Sequence, residues 1–148
     1  MLITIETIDP EEPRDVGDRP MLGYPARFRS SMVHGWAIFV PVDGEVADLG
    51  GQSFSVEINQ ERVSAFEILE GPAQPEVAPL PARGDFQVRG VVSAIVPFTE
   101  PEGEQLVVVS ARDAIFTLLR SEVGSRLLRT GEWVSFIAED VSLWDEGL

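Results

Sequence analysis

The 148-residue chain has no cysteine, no lysine and one histidine, and its longest apolar runs, Trp36–Val42 and Leu106–Val109, fall far short of the ~20 residues that span a bilayer. Without cysteine there are no disulfides, no thiolate catalysis and no zinc–thiolate site. Without lysine there is no P-loop ammonium group, and Gly50-Gly51 lacks the glycine spacing and the long following helix of a phosphate cradle. One histidine cannot supply the two or three imidazoles of common zinc sites. Positive charge is also scarce. Eleven arginines stand against 25 acidic residues, for a net charge of −14, with −8 carried by residues 1–74 and −6 by residues 75–148. Such a field repels nucleic-acid phosphates and attracts basic partners, although it also serves solubility alone.

What is present is ordinary for a globular protein: 44% apolar and 24% charged residues. A chain of this length makes one domain or two small ones and buries roughly 68–70% of its unfolded surface. The first residues, Met-Leu-Ile-Thr-Ile-Glu, carry neither a basic segment nor a long apolar segment of the signal-peptide kind, so the expected location is cytoplasmic.

One pattern occurs twice. Ala37-Ile38-Phe39 and Glu45-Val46 return 77 residues later as Ala114-Ile115-Phe116 and Glu122-Val123. After a three-residue slip Gly51 and Ser55 fall on Gly131 and Ser135, and Val63–Glu67 falls on Val141–Asp145. Self-similarity of this kind marks one supersecondary unit used again.

Period-2 alternation predicts strands at Leu2–Ile8 and Ala26–Met32, and apolar or β-branched runs predict others at Trp36–Val42, Ser53–Ile58 and Arg62–Leu69. The last two read as a hairpin around Asn59-Gln60-Glu61. Asp9–Pro20 reads as a loop, and Asp43–Leu49 as one helical turn at most. Gly71–Gly84 holds four prolines, which predicts a semi-rigid linker that pairs with no sheet. Beyond it, strands are expected at Phe86–Val96, with a bulge or bend at Gly90, and at Gln105–Ser110 and Ala114–Leu119. A short helix from Ser121 to Arg129, presenting Val123, Leu127 and Leu128 and ended by Gly131, leads to strands at Trp133–Ala138 and Val141–Trp144.

The expected fold class is all-β with one short helix: residues 1–70 and 85–148 form two small five-stranded barrels or sheets joined by linker 71–84, packed together or apart. The strand order of residues 85–148 resembles the OB-fold, a five-stranded Greek-key barrel. An SH3-like barrel or an open sheet fits the same string.

No residue set forms a catalytic motif. His34 has no partner at triad spacing, and a surface role outweighs general acid–base work. The acids Glu11-Glu12, Glu100, Glu102, Glu104 and Asp145-Glu146 supply oxygen ligands for a hard cation, but without the order of an EF-hand loop. Arg27 and Arg29 share a strand face opposite Phe28, and Arg126 and Arg129 lie one helical turn apart. Trp36 and Trp133 are expected in the core, and Trp144, aligned with Phe66, in a shared core position. No catalytic residue, cofactor or metal is therefore assigned. The function expected is non-catalytic binding of a basic protein partner by an acidic surface, in the manner of an antitoxin or immunity protein. The alternatives are an OB-type module for nucleic acid or a small ligand, with nucleic acid the less favoured, and a carboxylate-dependent hydrolase using two acids across a deep pocket.

Overall fold

The computed structural model describes residues 1–17, 21–42, 46–97, 104–124 and 127–148. Their strands are β1 (Leu2–Ile8), β2 (Arg14–Val16), β3 (Met21–Arg29), β4 (His34–Val40), β5 (Ser53–Asn59), β6 (Arg62–Ile68), β7 (Glu76–Pro79), β8 (Phe86–Pro97), β9 (Gln105–Ala111), β10 (Ala114–Leu119), β11 (Trp133–Glu139) and β12 (Ser142–Asp145). Alternation sets the buried face of each. β1 turns Ile3 and Ile5 inward, β3 turns Ala26 and Phe28, and β11 turns Val134, Phe136 and Ala138.

Two sheets result. The first runs β1-β5-β12-β4-β3 and closes on itself because β3 also pairs with β1, while β2 adds to β3 from outside. The second runs β10-β9-β8-β11-β6, with β7 on β8. The fold is thus all-β, with one closed five-stranded barrel and a second sheet of related order. No helix among the described residues is long and apolar enough to cross a membrane.

The repeat seen in the sequence is a repeat of strand order, in which β1, β3, β4 and β5 correspond to β8, β9, β10 and β11. The hydrogen bonds match in detail. Gly51 N donates to Ile5 O and Ile5 N to Gln52 O; Gly131 N donates to Val92 O and Val92 N to Glu132 O. Both glycines have positive φ, +85° and +93°, which a Cβ would disfavour. The strand irregularities also match, falling after Ile5 in β1 and after Val92 in β8.

The fifth strand of each unit is exchanged. β12, from the second half, inserts into the first barrel antiparallel to β5 and parallel to β4, with Leu143 opposite Ile58 and Phe39. β6, from the first half, pairs with β11. With β12 counted as its fifth strand, the first barrel has the order first, fourth, fifth, third, second and back to first, which is the Greek-key order of an OB barrel. The aligned segments Val63–Glu67 and Val141–Asp145 are thus the two exchanged strands. The interior joins both halves: Phe28 meets Phe86 with ring centroids 6.1 Å apart, and a Cβ on Gly35 would lie 2.8 Å from the Phe86 ring.

Several local expectations are corrected. β5 and β6 are not a hairpin, because after Asn59 the chain leaves the first barrel and β12 takes the place beside β5. The proline-rich stretch contains β7, which pairs with β8 from Glu76↔Arg89 to Pro79↔Phe86; as an edge strand with a proline at its end it loses no ladder bond it needs. The loop 9–20 contains β2. The strand expected at 26–32 begins at Met21, where β2 pairs with Met21–Gly23, and ends at Arg29, beyond which the amides of Met32 and Val33 donate to Ser30 Oγ and turn the chain. The helix expected at 121–129 is one 3-10 turn, Arg120–Glu122, ended by Gly124 at φ +84°; Leu127 is exposed. A second 3-10 turn covers Val46–Asp48. Gly90 is not the bend in β8. It is required because a Cβ there would lie 2.4 Å from the Ser110 carbonyl oxygen.

The exchange makes the termini of the pairing testable. Leu143 is 1% exposed inside a barrel it does not belong to by sequence, so Leu143→Ala should cost about 2–5 kcal/mol and lower the denaturant midpoint of the whole chain in a single transition. Where β6 meets β11, Arg62 Nη2 lies 3.0 Å from Glu139 Oε1, and the guanidinium, aided by the Ser64 hydroxyl, holds the Glu139 carboxyl below its ordinary value of 4.5. A depressed carboxyl stabilises the fold above its unfolded pKa and loses that contribution as pH falls through the folded one. The midpoint gap between wild type and Glu139→Gln should therefore be open at neutral pH and close as pH falls below 4.5.

Candidate functional site

A cleft of about 670 Å³ opens on the outer face of the closed barrel. Its floor is made by outward side chains of three adjacent strands: Ile38 from β4, Ser142 and Trp144 from β12, and Glu57 and Asn59 from β5. One wall is β2 with its following Gly17. The other is the pair of crossing points between the barrel and the second sheet, Gln60-Glu61 and Asp140. In the strand numbering of an OB barrel these walls are the connection between strands one and two and the region at strands four and five.

Each wall has a sequence cause. β2 lies close because Gly23, its partner opposite Arg14, has no side chain: a Cβ there would lie 2.3 Å from Ile38 Cγ2 and 2.9 Å from Val16 Cγ2. Gly17 reaches over the indole, its Cβ position lying 3.4 Å from Trp144. The indole is oriented by its own strand, with Trp144 Nε1 donating to Ser142 Oγ at 2.9 Å, and this bond gives the buried Ser142 hydroxyl a partner. At the far wall, Gln60 Nε2 donates to Thr117 O on β10 at 2.7 Å, tying the cleft to the second sheet.

The cleft is acidic. Asp15, Glu57, Glu61 and Asp140 line it, and among the described residues none of the four is in a salt bridge. Arg14 is the basic side chain on its rim. Four carboxylates around a half-buried indole offer a cation both charge and a π face. A smaller notch of about 80 Å³, lined by Trp36, Arg83, Arg14 and Glu12 among others, continues the cleft along β4.

The residues singled out from sequence are scattered. His34 opens β4 on the exposed face, opposite Arg29. Arg27 and Arg29 are exposed on one face with Phe28 buried beneath, as their spacing predicted. The acids Glu11-Glu12 and Asp145-Glu146 are not brought together, and among the described residues no group of three or more possible ligands is placed to hold a metal ion. Glu100, Glu102 and Arg126 lie outside the described residues. Glu104 is engaged by backbone: the amides of Gln105 and Ser121 donate to its Oε1, and these bonds hold its carboxyl below the ordinary range. Glu104 and Glu139 both shift down, and both lie outside the cleft.

The tryptophans overturn their expected place. Trp36, Trp133 and Trp144 are all half-buried, and the core aromatics are Phe28, Phe39, Phe86, Phe116 and Phe136. Both sheets turn phenylalanines inward, and the strand pleat leaves the indoles on the outer faces. Phe66, aligned with Trp144, is half-buried too and stacks on Phe136 with centroids 6.3 Å apart. Reading alone missed Asp15, Glu57, Glu61 and Asp140 as a group, because each looks like a solvated turn or strand acid until the exchange gathers them.

Because β2 is held down only where Gly23 allows it, Gly23→Ala should lift β2 from the floor; the Trp144 emission should move to the red and cleavage within residues 9–17 should accelerate, with the barrel otherwise folded. Compared with known protein families, with curated proteins and with solved structures, the chain matches none.

Proposed function

We propose that this protein is a non-catalytic binding module whose acidic cleft receives a basic segment of another protein, in the manner of an inhibitor that covers a cationic site. The observation that carries this reading is the convergence of Asp15, Glu57, Glu61 and Asp140 from three separate stretches of chain on a cleft floored by Trp144. An arginine or lysine entering there exchanges hydration for carboxylates and for the indole face, and truncating such a buried pair on either side is costly. The net charge of −14 adds a long-range attraction that speeds encounter at low ionic strength.

A second reading rests on the position of the cleft. It lies between the one–two connection and strands four and five of an OB-type barrel, and an indole with amide and carboxylate groups suits a polar small ligand such as a sugar.

The test is capture from lysate of the source organism on immobilised protein, followed by titration with the purified partner. The expected result is a basic protein retained at low salt and released as salt rises. Asp15→Asn/Glu57→Gln/Glu61→Gln should weaken its binding at least tenfold, whereas the charge-matched Glu6→Gln/Glu67→Gln/Glu70→Gln, at exposed positions outside the cleft, should leave it unchanged. Equal losses from both would reduce the effect to net charge and end the cleft reading. Binding of neutral saccharides that Trp144→Ala abolishes would favour the second.

A further inference from the structure

The second sheet turns an apolar face outward. Ile115 on β10 pairs with Ser110 on β9, Ser110 with Val91 on β8, and Val91 with Trp133 on β11, so that the four make one row across the outer surface. Leu119, Leu106 and Val96 make a parallel row, and Thr117, Val108 and Ala94 lie between the two. The opposite parity is the core, with Val107, Val109, Phe116 and Leu118 buried. None of the outward residues in these rows carries a charge, although the chain has 25 acids and 11 arginines. The hydroxyls beside them turn back on the sheet: Ser93 Oγ donates to Val108 O at 3.3 Å and Ser110 Oγ to Ser93 Oγ at 3.1 Å. Two corners stand well clear of their neighbours, Val96 at 45% exposed and Ile115 at 57%. The strand order does not dictate such a face, because the corresponding strands β3 and β4 of the first barrel turn Arg27, Arg29 and His34 outward.

We infer that this face packs against the same face of a second copy of the chain, forming a weak and reversible two-fold dimer. Apolar sheet faces pack on one another about 10 Å apart, with their side chains interdigitated. A second copy supplies a face of the same kind, and a two-fold contact uses each patch residue twice. Charge decides against the other occupants. A basic partner, which the acidic molecule attracts, gains nothing from a face without carboxylates, and any charged polymer would lose hydration there with no ion to replace it. Size fixes the strength of the contact. Four strands about 4.8 Å apart, each covered over five residues of about 3.4 Å, make a patch of roughly 320 Å² in projection, the size that marks an interaction site. Counted on both copies it falls short of the roughly 1,200 Å² of a stable interface, which places dissociation in the micromolar range or weaker. The face shares no residue with the acidic cleft, so one molecule can use both.

The experiment is sedimentation velocity of the full chain from low to high micromolar concentration, at low and at raised salt. The expected result is a monomer–dimer equilibrium that tightens severalfold as salt rises, because screening relieves the repulsion between two molecules of net charge −14 while the apolar contact remains. That sign is opposite to the salt dependence expected of the cleft. Val96→Glu/Ile115→Glu should weaken association about tenfold or more by placing carboxylates in the contact. The charge-matched Leu2→Glu/Met32→Glu, at exposed apolar positions off the face, should leave it unchanged. In a Trp36→Phe/Trp144→Phe background, Trp133 emission should move to the blue as the dimer forms. Circular dichroism of each variant establishes that it is folded. A monomer under every condition, equal loss from both glutamate pairs, association that weakens as salt rises, or a Trp133 emission that ignores concentration would each overturn the inference. So would a monomer that captures a different protein through this face and loses it in Val96→Glu/Ile115→Glu, which would assign the face to that partner. The cleft variant Asp15→Asn/Glu57→Gln/Glu61→Gln should not weaken self-association, so failure here and failure of the protein-binding reading are separable.

Discussion

The structure depends on one reciprocal pairing: β12 inserted between β5 and β4, and β6 laid against β11. A barrel that lacked its fifth strand would present two open edges, which is a standing invitation to aggregation. Here each half relieves the other of that liability, and the ladder at the crossing is reinforced by Glu61 N donating to Glu139 O at 2.9 Å and by the Arg62–Glu139 ion pair. The ion pair is exposed and contributes little; the paired backbone and the buried Leu143 carry the energy. Loop-closure entropy works against such long-range pairing, so formation of the two exchanged strands should be a late event in folding.

The exchange also places chemistry. The cleft floor is half first-half sequence (Ile38, Glu57, Asn59) and half second-half sequence (Ser142, Trp144), and its acidic wall exists because the two crossing points, at Gln60-Glu61 and Asp140, sit side by side. The apolar face of the second sheet is built differently, from strands β8 to β11 of the second half alone.

Much of this was legible in the residues. Alternation located the strands, because a half-buried strand must alternate, and the internal repeat announced two units of one order. The faces of Arg27, Phe28 and Arg29 followed from the same period. The exchange was not legible: Asn59-Gln60-Glu61 is a fair hairpin turn by composition, and only the competition of β12 for the edge of β5 decides against it. The tryptophans misled for a related reason. Their bulk favours burial on average, but in a strand the parity of position decides, and Trp36, Trp133 and Trp144 fall on the outward parity while phenylalanines fill the inward one. Cleft acids drawn from three stretches of chain, Asp15, Glu57 with Glu61, and Asp140, give no local signal.

The donated β12 also makes the cleft depend on the last strand of the described chain. The first barrel is sealed, and its cleft given part of its floor, by Ser142–Asp145. A chain cut short before Ser142 would leave β4 and β5 without the strand that lies between them, and Ile38, Glu57 and Asn59 would face a gap in place of a floor.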